Sequence, residues 1–186
     1  MKKIVLAVLT VLLVSSAAIS QDFRKATWGM TPSEVKASES DKPLQEEANM
    51  LVYETTLAGF DAYAGYIFAN GKLTRTKYIL KVTHSNDNDY ISDYNRLNDL
   101  LRKKYGVALK DEINWMTDSP FKNDKSYWGH CISQGDLVLY SIYRTPTTEI
   151  GIELSAEDYT IINAIQYSSL NDELKDLEEE KMLENF

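Results

Sequence analysis

The chain has 186 residues, with 20 basic and 28 acidic side chains and a formal charge of −8. A protein that binds nucleic acid needs a basic face, and the basic pairs here, such as Arg24-Lys25, are scattered, so we expect no nucleic-acid partner. The single cysteine, Cys131, excludes an intrachain disulfide, so stability has to come from a hydrophobic core.

The first twenty residues, MKKIVLAVLTVLLVSSAAIS, follow the order of a secretory signal peptide: a positive start, an apolar run and small residues at the cleavage point. The apolar run, residues 4–14, is shorter than the roughly 20 residues that a membrane-spanning helix requires. No cysteine follows it, which argues against a lipid anchor. We therefore expect cleavage between Ser20 and Gln21 and a periplasmic or secreted protein with no stable membrane anchor. Cleavage would remove two of the 20 basic residues and leave 18 against 28 acidic ones, a formal charge of −10.

The segment TWGMTPSEV, residues 27–35, predicts the start of the first helix. Thr31 stands before a proline and three residues before Glu34, which is the pattern of a capping box with proline at the first helical position. The helix should therefore begin at Pro32. It should end before Pro43, after about three turns at most.

A Trp-Gly pair occurs in this segment and again in YWGHCISQGD, residues 127–136. A large aromatic side chain beside a helix usually packs on the helix or on the core. We therefore expect Trp28 and Trp128 to be mostly buried, and we interpret the pair as structural.

Beyond the first helix the apolar residues change to the period of strands. Residues 50–57 and 62–82 are rich in Tyr, Ile, Val and Thr. Asn70-Gly71 divides the second stretch, because these two residues tolerate the positive φ that a two-residue hairpin turn requires. Residues 63–69 should therefore pair antiparallel with 72–82.

The rest of the chain repeats this order. Apolar residues at helical spacing predict a helix from Tyr90 to Tyr105, with basic residues in its last turn and Gly106 beyond it. Three more strands follow, separated by the turns TPTT and SAED, at 137–144, 149–154 and 159–168. An acidic helix with a narrow leucine stripe closes the chain at about residues 169–184.

The element order predicts an α+β fold, an antiparallel meandering sheet with helices on one face, in which a helix-plus-three-strand unit occurs twice. No linker rich in Gly, Pro or Ser separates the halves, so residues 21–186 should form a single domain. The segment 107–126 is the least regular. It is either a mobile loop or a strand around Ile113 to Met116 followed by a loop.

Several segments resemble a family of exported bacterial proteins found in Gram-negative groups. They are the opening F-x(4)-W-G-M-[ST]-x-x-E-V, then YIFANGKL, NDYISDYNRLNDLLRKKYG, WGHCISQGDL and IQYSS. The resemblance covers nearly all of the chain after the leader and implies export and a shared fold, but no activity. A looser resemblance links the chain to small envelope proteins of the outer-membrane assembly lipoprotein and β-lactamase-inhibitor type. The chain lacks the lipid-attachment cysteine of the lipoproteins.

Candidate catalytic groups are few. Cys131 follows His130 directly, and neighbouring side chains diverge, so only His84 could approach the thiol as a general base. We interpret Cys131 as a buried, inert thiol. The oxygen-rich residues 86–89 lack the spacing of a calcium-binding EF-hand and are typical of a helix cap. The acidic run 178–180 is typical of a solvated helix face.

These patterns predict no catalytic, cofactor-binding or metal-binding residues. Two hypotheses stay open: an exported, non-catalytic binding or envelope-associated protein, and a periplasmic hydrolase with an unrecognised site. The tyrosines favour binding of a protein, peptide or glycan in the envelope, although strand residues such as Tyr63, Tyr66 and Tyr78 more often fill a sheet face.

Export predicts a defined N-terminus. The mature protein recovered from the periplasmic fraction should begin at Gln21, because small residues precede that position as signal peptidase requires. Intact-mass measurement checks this, and a periplasmic protein that retains Met1 would contradict it.

Overall fold

The computed structural model describes residues 21–183. The predicted leader and residues 184–186 lie outside this range. Its helices are α1 (Pro32–Ser38), α2 (Asn88–Tyr105), α3 (Trp128–Ser133) and α4 (Asp172–Leu183). Its strands are β1 (Gln45–Glu47), β2 (Met50–Leu57), β3 (Phe60–Ala69), β4 (Lys72–Leu80), β5 (Lys110–Trp115), β6 (Leu137–Arg144), β7 (Thr148–Glu157) and β8 (Thr160–Ser169).

All the strands form one antiparallel sheet in the order β1-β2-β3-β4-β8-β7-β6-β5. Two four-stranded meanders therefore meet at the centre, where β4 pairs with β8. Lys77 and Gln166 lie opposite each other in the middle of this pair, so an approximate twofold axis relates the two strands and makes Tyr78 and Tyr167 equivalent positions. The predicted α+β class, antiparallel meander and C-terminal helix are confirmed.

Each half has four strands rather than the three that we expected. The additional strands are the two edges, β1 and β5, whose sequences QEE and KDEINW are charged and exposed. An edge strand without a buried face has no alternating apolar pattern, which is why its sequence gives no strand signal. In the segment 107–126, the strand alternative is the correct one.

Three hairpins close through two-residue turns in which both residues have positive φ. The Asn70-Gly71 turn is confirmed, with φ of 47° and 72°. Ala58-Gly59 forms the same kind of turn between β2 and β3. The predicted SAED turn is wrong, because β7 continues to Glu157 and the chain reverses at Asp158-Tyr159, with φ of 46° and 64°.

The core lies on one face of the sheet. Alternate residues of each central strand point into it, among them Tyr66, Tyr78, Tyr143, Ile152 and Ile165. Helices α2 and α3 pack over the half formed by β6, β7 and β8, as expected for helices on one face.

Helix α4 differs, because it packs on β3 and β4 from the opposite face. There Arg75 Nε lies 2.8 Å from Glu178 Oε1. Leu174 of the predicted leucine stripe is buried. Within residues 21–183, no helix combines the length and apolarity needed to cross a bilayer.

Both Trp-Gly pairs adjoin short helices. The capping box at Thr31 and Glu34 is present, and α1 begins at Pro32 as predicted. Trp28 and Trp128 both pack against the core and are mostly buried, as we expected, although neither is fully enclosed. Trp28 Nε1 donates to Thr148 Oγ1 at 2.9 Å, whereas Trp128 packs edge-on against Trp115.

Gly129 lets α3 contact the start of α2. A Cβ at this position would lie 2.3 Å from the carbonyl carbon of Asp87 and 2.4 Å from the backbone nitrogen of Asn88. The Asn88 amide joins the two helices, since Oδ1 accepts from Gly129 N at 2.6 Å and Nδ2 donates to Ser126 O at 2.8 Å. Any larger residue at 129 would separate these groups.

Gly129→Ala should therefore lower the free energy of unfolding by about 2 kcal/mol. Overpacking against backbone costs about 3 kcal/mol, and the gain in helix propensity returns only about 1 kcal/mol. Gly151→Ala is the control, because nothing lies within 4 Å of its Cβ position, and it should leave stability unchanged or raise it by up to about 1 kcal/mol. Urea denaturation of both variants measures the difference, and equal stabilities would contradict the close contact.

Candidate functional site

The residues that precede α1 cover the centre of the sheet. Phe23 packs on the two equivalent tyrosines of the central strands, with its ring centroid 4.7 Å from that of Tyr78 and 5.2 Å from that of Tyr167. Phe23 and Ala26 exchange backbone hydrogen bonds, which fold the segment into a tight turn. Since α2 and α3 pack over the other half of this face, Phe23 closes the core here.

Arg24 lies in that turn and forms a clamp with a carboxylate. Its Nε and Nη2 donate to the two oxygens of Glu39 at 3.0 and 2.9 Å, and Nη1 donates to Thr55 Oγ1 at 2.6 Å. The Glu39 side chain is 2% exposed and also accepts from the hydroxyl of Tyr66. Burial and this hydrogen bond raise the pKa of Tyr66. Arg24 adopts a φ of 51°, so the bidentate pair holds a strained backbone in place.

A cavity of about 690 Å³ opens beside this turn. Its walls are the side chains of Tyr78, Tyr167 and Tyr105, with Lys104 from the last turn of α2. Burial is the main reason that the pKa values of Tyr78 and Tyr167 are raised, so these two hydroxyls stay neutral. We call this cavity the aromatic pocket.

The rim of the aromatic pocket comes from the N-terminal segment and the β6–β7 loop, residues 145–147. Asp22 joins the two, because its Oδ1 accepts from Thr147 Oγ1 at 2.8 Å and its Oδ2 accepts from Trp28 N at 3.0 Å. Trp28 reaches the same loop through Thr148. The rim is therefore a hydrogen-bonded unit, although its two parts are more than a hundred residues apart in the chain.

A second cavity, of about 510 Å³, lies between α2 and the strands β5 and β6. A polar network forms its floor, centred on Ser141. This hydroxyl donates to Asp111 Oδ1 at 2.8 Å, receives the Asn98 amide at 2.9 Å and lies 2.9 Å from the Tyr94 hydroxyl. Arg102 pairs with the other oxygen of Asp111 at 2.7 Å. Every group in this network has a partner, so it ties α2 to the sheet.

The residues considered as a cysteine site are not brought together. Cys131 is buried in α3, where its Sγ lies 3.8 Å from Ser119 Oγ. His84 Nε2 lies 2.6 Å from Asp93 Oδ2, and the ring of Tyr90 packs against it edge-on. His130 is exposed. Among the described residues, no hydrogen bond joins His84 to Cys131.

The other candidate segments have structural contacts. Asn86 Oδ1 accepts from Asn88 N at 3.1 Å at the start of α2, whereas Asp87 makes no side-chain cap. The acidic run of α4 is not wholly solvated, because Glu178 pairs with Arg75. Within residues 21–183, no group of three or more His, Cys, Asp or Glu side chains is placed to hold a metal ion.

Sequence reasoning did not identify the aromatic pocket. Its residues come from the N-terminal turn, β4, the end of α2, the β6–β7 loop and β8, and no local motif connects these segments. Arg24 looked like a surface cation and Lys104 like a charge at a helix end. Only the aromatic composition of strands such as β4 indicated that tyrosines could gather on one face.

The polar network predicts a pH dependence. Burial, opposed in part by the hydrogen bond with Ser141, raises the pKa of Tyr94 from 10.0 to about 12. Below pH 10 the residue is neutral in both states and its stabilisation is complete. Above that pH the unfolded chain ionises first, so stability is lost as the pH rises towards 12.

Between about pH 8 and pH 11, the raised pKa of Tyr94 should lower the free energy of unfolding by about 1.4 kcal/mol. The Tyr94→Phe variant lacks this ionisation. Over the same pH interval, its loss of stability should therefore be about 1.4 kcal/mol smaller than that of the unmodified protein. Urea denaturation at both pH values measures the loss. Tyr127→Phe, at an exposed tyrosine, should leave the loss unchanged, and an unchanged loss in Tyr94→Phe would contradict the assignment.

Comparison of the chain with protein-family models, curated proteins and solved structures finds no match. The described residues therefore supply the only observations that bear on its function. The aromatic pocket is a cavity in which the rings and hydroxyl groups of three tyrosines converge with a cation.

Proposed function

We propose that this chain is an exported, non-catalytic binding protein of the bacterial envelope, and that its ligand occupies the aromatic pocket. The observation that supports this is a cavity of about 690 Å³ with tyrosines on its walls and polar groups at its rim. Ligand sites typically have volumes of about 300 to 1,000 Å³, mostly apolar or aromatic walls and a few fixed polar groups. A sugar ring, a peptide terminus or another ring-sized unit of an envelope component fits this space.

Contacts within the protein hold the walls of the pocket in place. Phe23 holds the rings of Tyr78 and Tyr167, and the Arg24–Glu39 clamp fixes the adjacent turn. Preformed walls lower the entropy that binding costs, because few side chains remain to be ordered.

The predicted cleavage point of the leader lies next to residues that line the aromatic pocket. Gln21 and Asp22 line the aromatic pocket, and Gln21 is the residue that follows the predicted cleavage point. Cleavage at this position would retain every residue that lines the pocket. The mature protein would then be the form that binds.

The alternative function is a periplasmic hydrolase, and one contact favours it. The 2.6 Å contact between His84 and Asp93 is the arrangement that orients a general base. Neither residue lines the aromatic pocket. Cys131, the nucleophile considered from the sequence, is in contact with Ser119 instead.

Native mass spectrometry of the protein released gently from its own envelope tests the binding function. We expect a dissociable adduct that Tyr105→Ala loses, because that substitution removes a wall of the pocket. Tyr127→Ala is the matched control. Tyr127 is 46% exposed and lies near the first turn of α2, whereas Tyr105 is the last residue of that helix. The two ends of α2 are about 27 Å apart by helix rise, so the adduct should persist in this variant.

A hydrolase panel on the same purified protein separates the two functions. Turnover that disappears in Asp93→Asn and survives Tyr105→Ala would overturn the binding proposal in favour of the hydrolase. An adduct that both tyrosine variants retain would place the ligand elsewhere.

A further inference from the structure

The hydrogen-bonding groups of the aromatic pocket are unevenly distributed between donors and acceptors. The pocket has one carboxylate, Asp22, and each of its oxygens already accepts a hydrogen bond, from Thr147 and from the backbone of Trp28. The hydroxyl of Thr148 accepts from the Trp28 indole. These acceptors therefore already take part in holding the rim together.

Donors remain available. The hydroxyls of Tyr78, Tyr105 and Tyr167 belong to the pocket, and raised pKa values keep those of Tyr78 and Tyr167 protonated. The hydroxyls of Tyr105 and Tyr167 share one hydrogen bond, so one proton of this pair remains to be donated. Arg24 has five N–H groups. Three of them donate to Glu39 and Thr55, and the guanidinium also forms a hydrogen bond with the Tyr78 hydroxyl.

Lys104 adds a cation. Its Nζ lies 5.0 Å from the centroid of the Tyr105 ring, and within residues 21–183 no carboxylate forms an ion pair with it. The chain as a whole carries a formal charge of −8, so a pocket that combines donors with a cation differs from the average surface. The ammonium group of Lys104 attracts an anionic group and repels a cationic one, and the neighbouring hydroxyls can donate to an oxyanion.

We infer that the aromatic pocket binds a ring-bearing organic anion, whose carboxylate or phosphate group faces Lys104 and whose ring contacts the tyrosines. This inference rests on the proposed binding function and adds the chemical class of the ligand. The oxyanion takes its hydrogen bonds from Lys104 and from the tyrosine hydroxyls. The ring lies against Tyr105, which is the least buried of the three tyrosines.

Three small probes that share a benzene ring test the inference: benzoate, phenyl phosphate and neutral benzyl alcohol. Binding to the purified mature protein is followed by NMR titration of the backbone amides of Thr145, Thr147 and Thr148. We expect at least one anion to bind about 10-fold more tightly than benzyl alcohol, and the comparison of benzoate with phenyl phosphate tells which oxyanion is preferred.

Lys104→Gln should weaken binding of the preferred anion about 5-fold and leave benzyl alcohol unchanged, since only the anion contacts the ammonium group. Lys103→Gln is the matched control. It lowers the net charge by the same amount from the same exposed turn but does not line the pocket, so anion binding should be retained. This comparison removes the effect of the overall negative charge.

Equal affinity for all three probes, or equal weakening by the two lysine variants, would overturn the anion assignment and leave the binding function standing. If none of the probes shifts the amides of Thr145, Thr147 and Thr148, the anion assignment also fails. The adduct measured by native mass spectrometry then decides the binding function separately.

Discussion

The antiparallel pairing of β4 with β8 is the interaction on which the rest of the structure depends. The register from Arg75 opposite Ser168 to Ile79 opposite Ala164 joins two meanders that would each expose an unpaired edge. The same register places Tyr78 and Tyr167 diagonally across the approximate twofold axis, with ring centroids 6.3 Å apart. Each half of the sheet supplies one of these two tyrosines, so the pocket wall that they form exists only because β4 pairs with β8.

The N-terminal turn breaks the symmetry at this joint. One ring, that of Phe23, lies over both equivalent tyrosines, and the next residue, Arg24, reaches the buried carboxylate of Glu39. The backbone strain at Arg24 is offset because the turn fills the core and neutralises a buried charge within two residues. The clamp that stabilises the fold therefore also fixes the position of the pocket wall.

The sequence predicted the features that depend on neighbours in the chain. The capping box at Thr31, the Asn70-Gly71 hairpin and the strand 50–57 each follow from a few adjacent residues, and each is present. The edge strand β5 was recognised only as an alternative, because none of its residues is fully buried. The turn at Asp158-Tyr159 was misplaced because two non-glycine residues adopt positive φ there, which local preferences disfavour.

The site was less predictable than the fold for a physical reason. Its side chains converge through β-sheet register and through contacts such as that of Trp28 with Thr148, 120 residues apart. Pairing of β4 with β8 cannot be derived from either strand by itself, since both have alternating patterns compatible with several neighbours. The tyrosine content indicated that a surface of the sheet could be aromatic. Which tyrosines lie together in the pocket depends on the sheet topology.

The place of β8 in the sheet also governs when the chain can fold. This strand is the last to be synthesised, yet it fills the middle of the sheet between β4 and β7. The contacts between residues 75–79 and 164–168 span about half of the chain, and contacts of such high sequence separation form slowly. An incomplete chain that ends before residue 160 lacks the strand that unites its two halves. The complete sheet therefore cannot form before the residues of β8, Thr160–Ser169, have been synthesised.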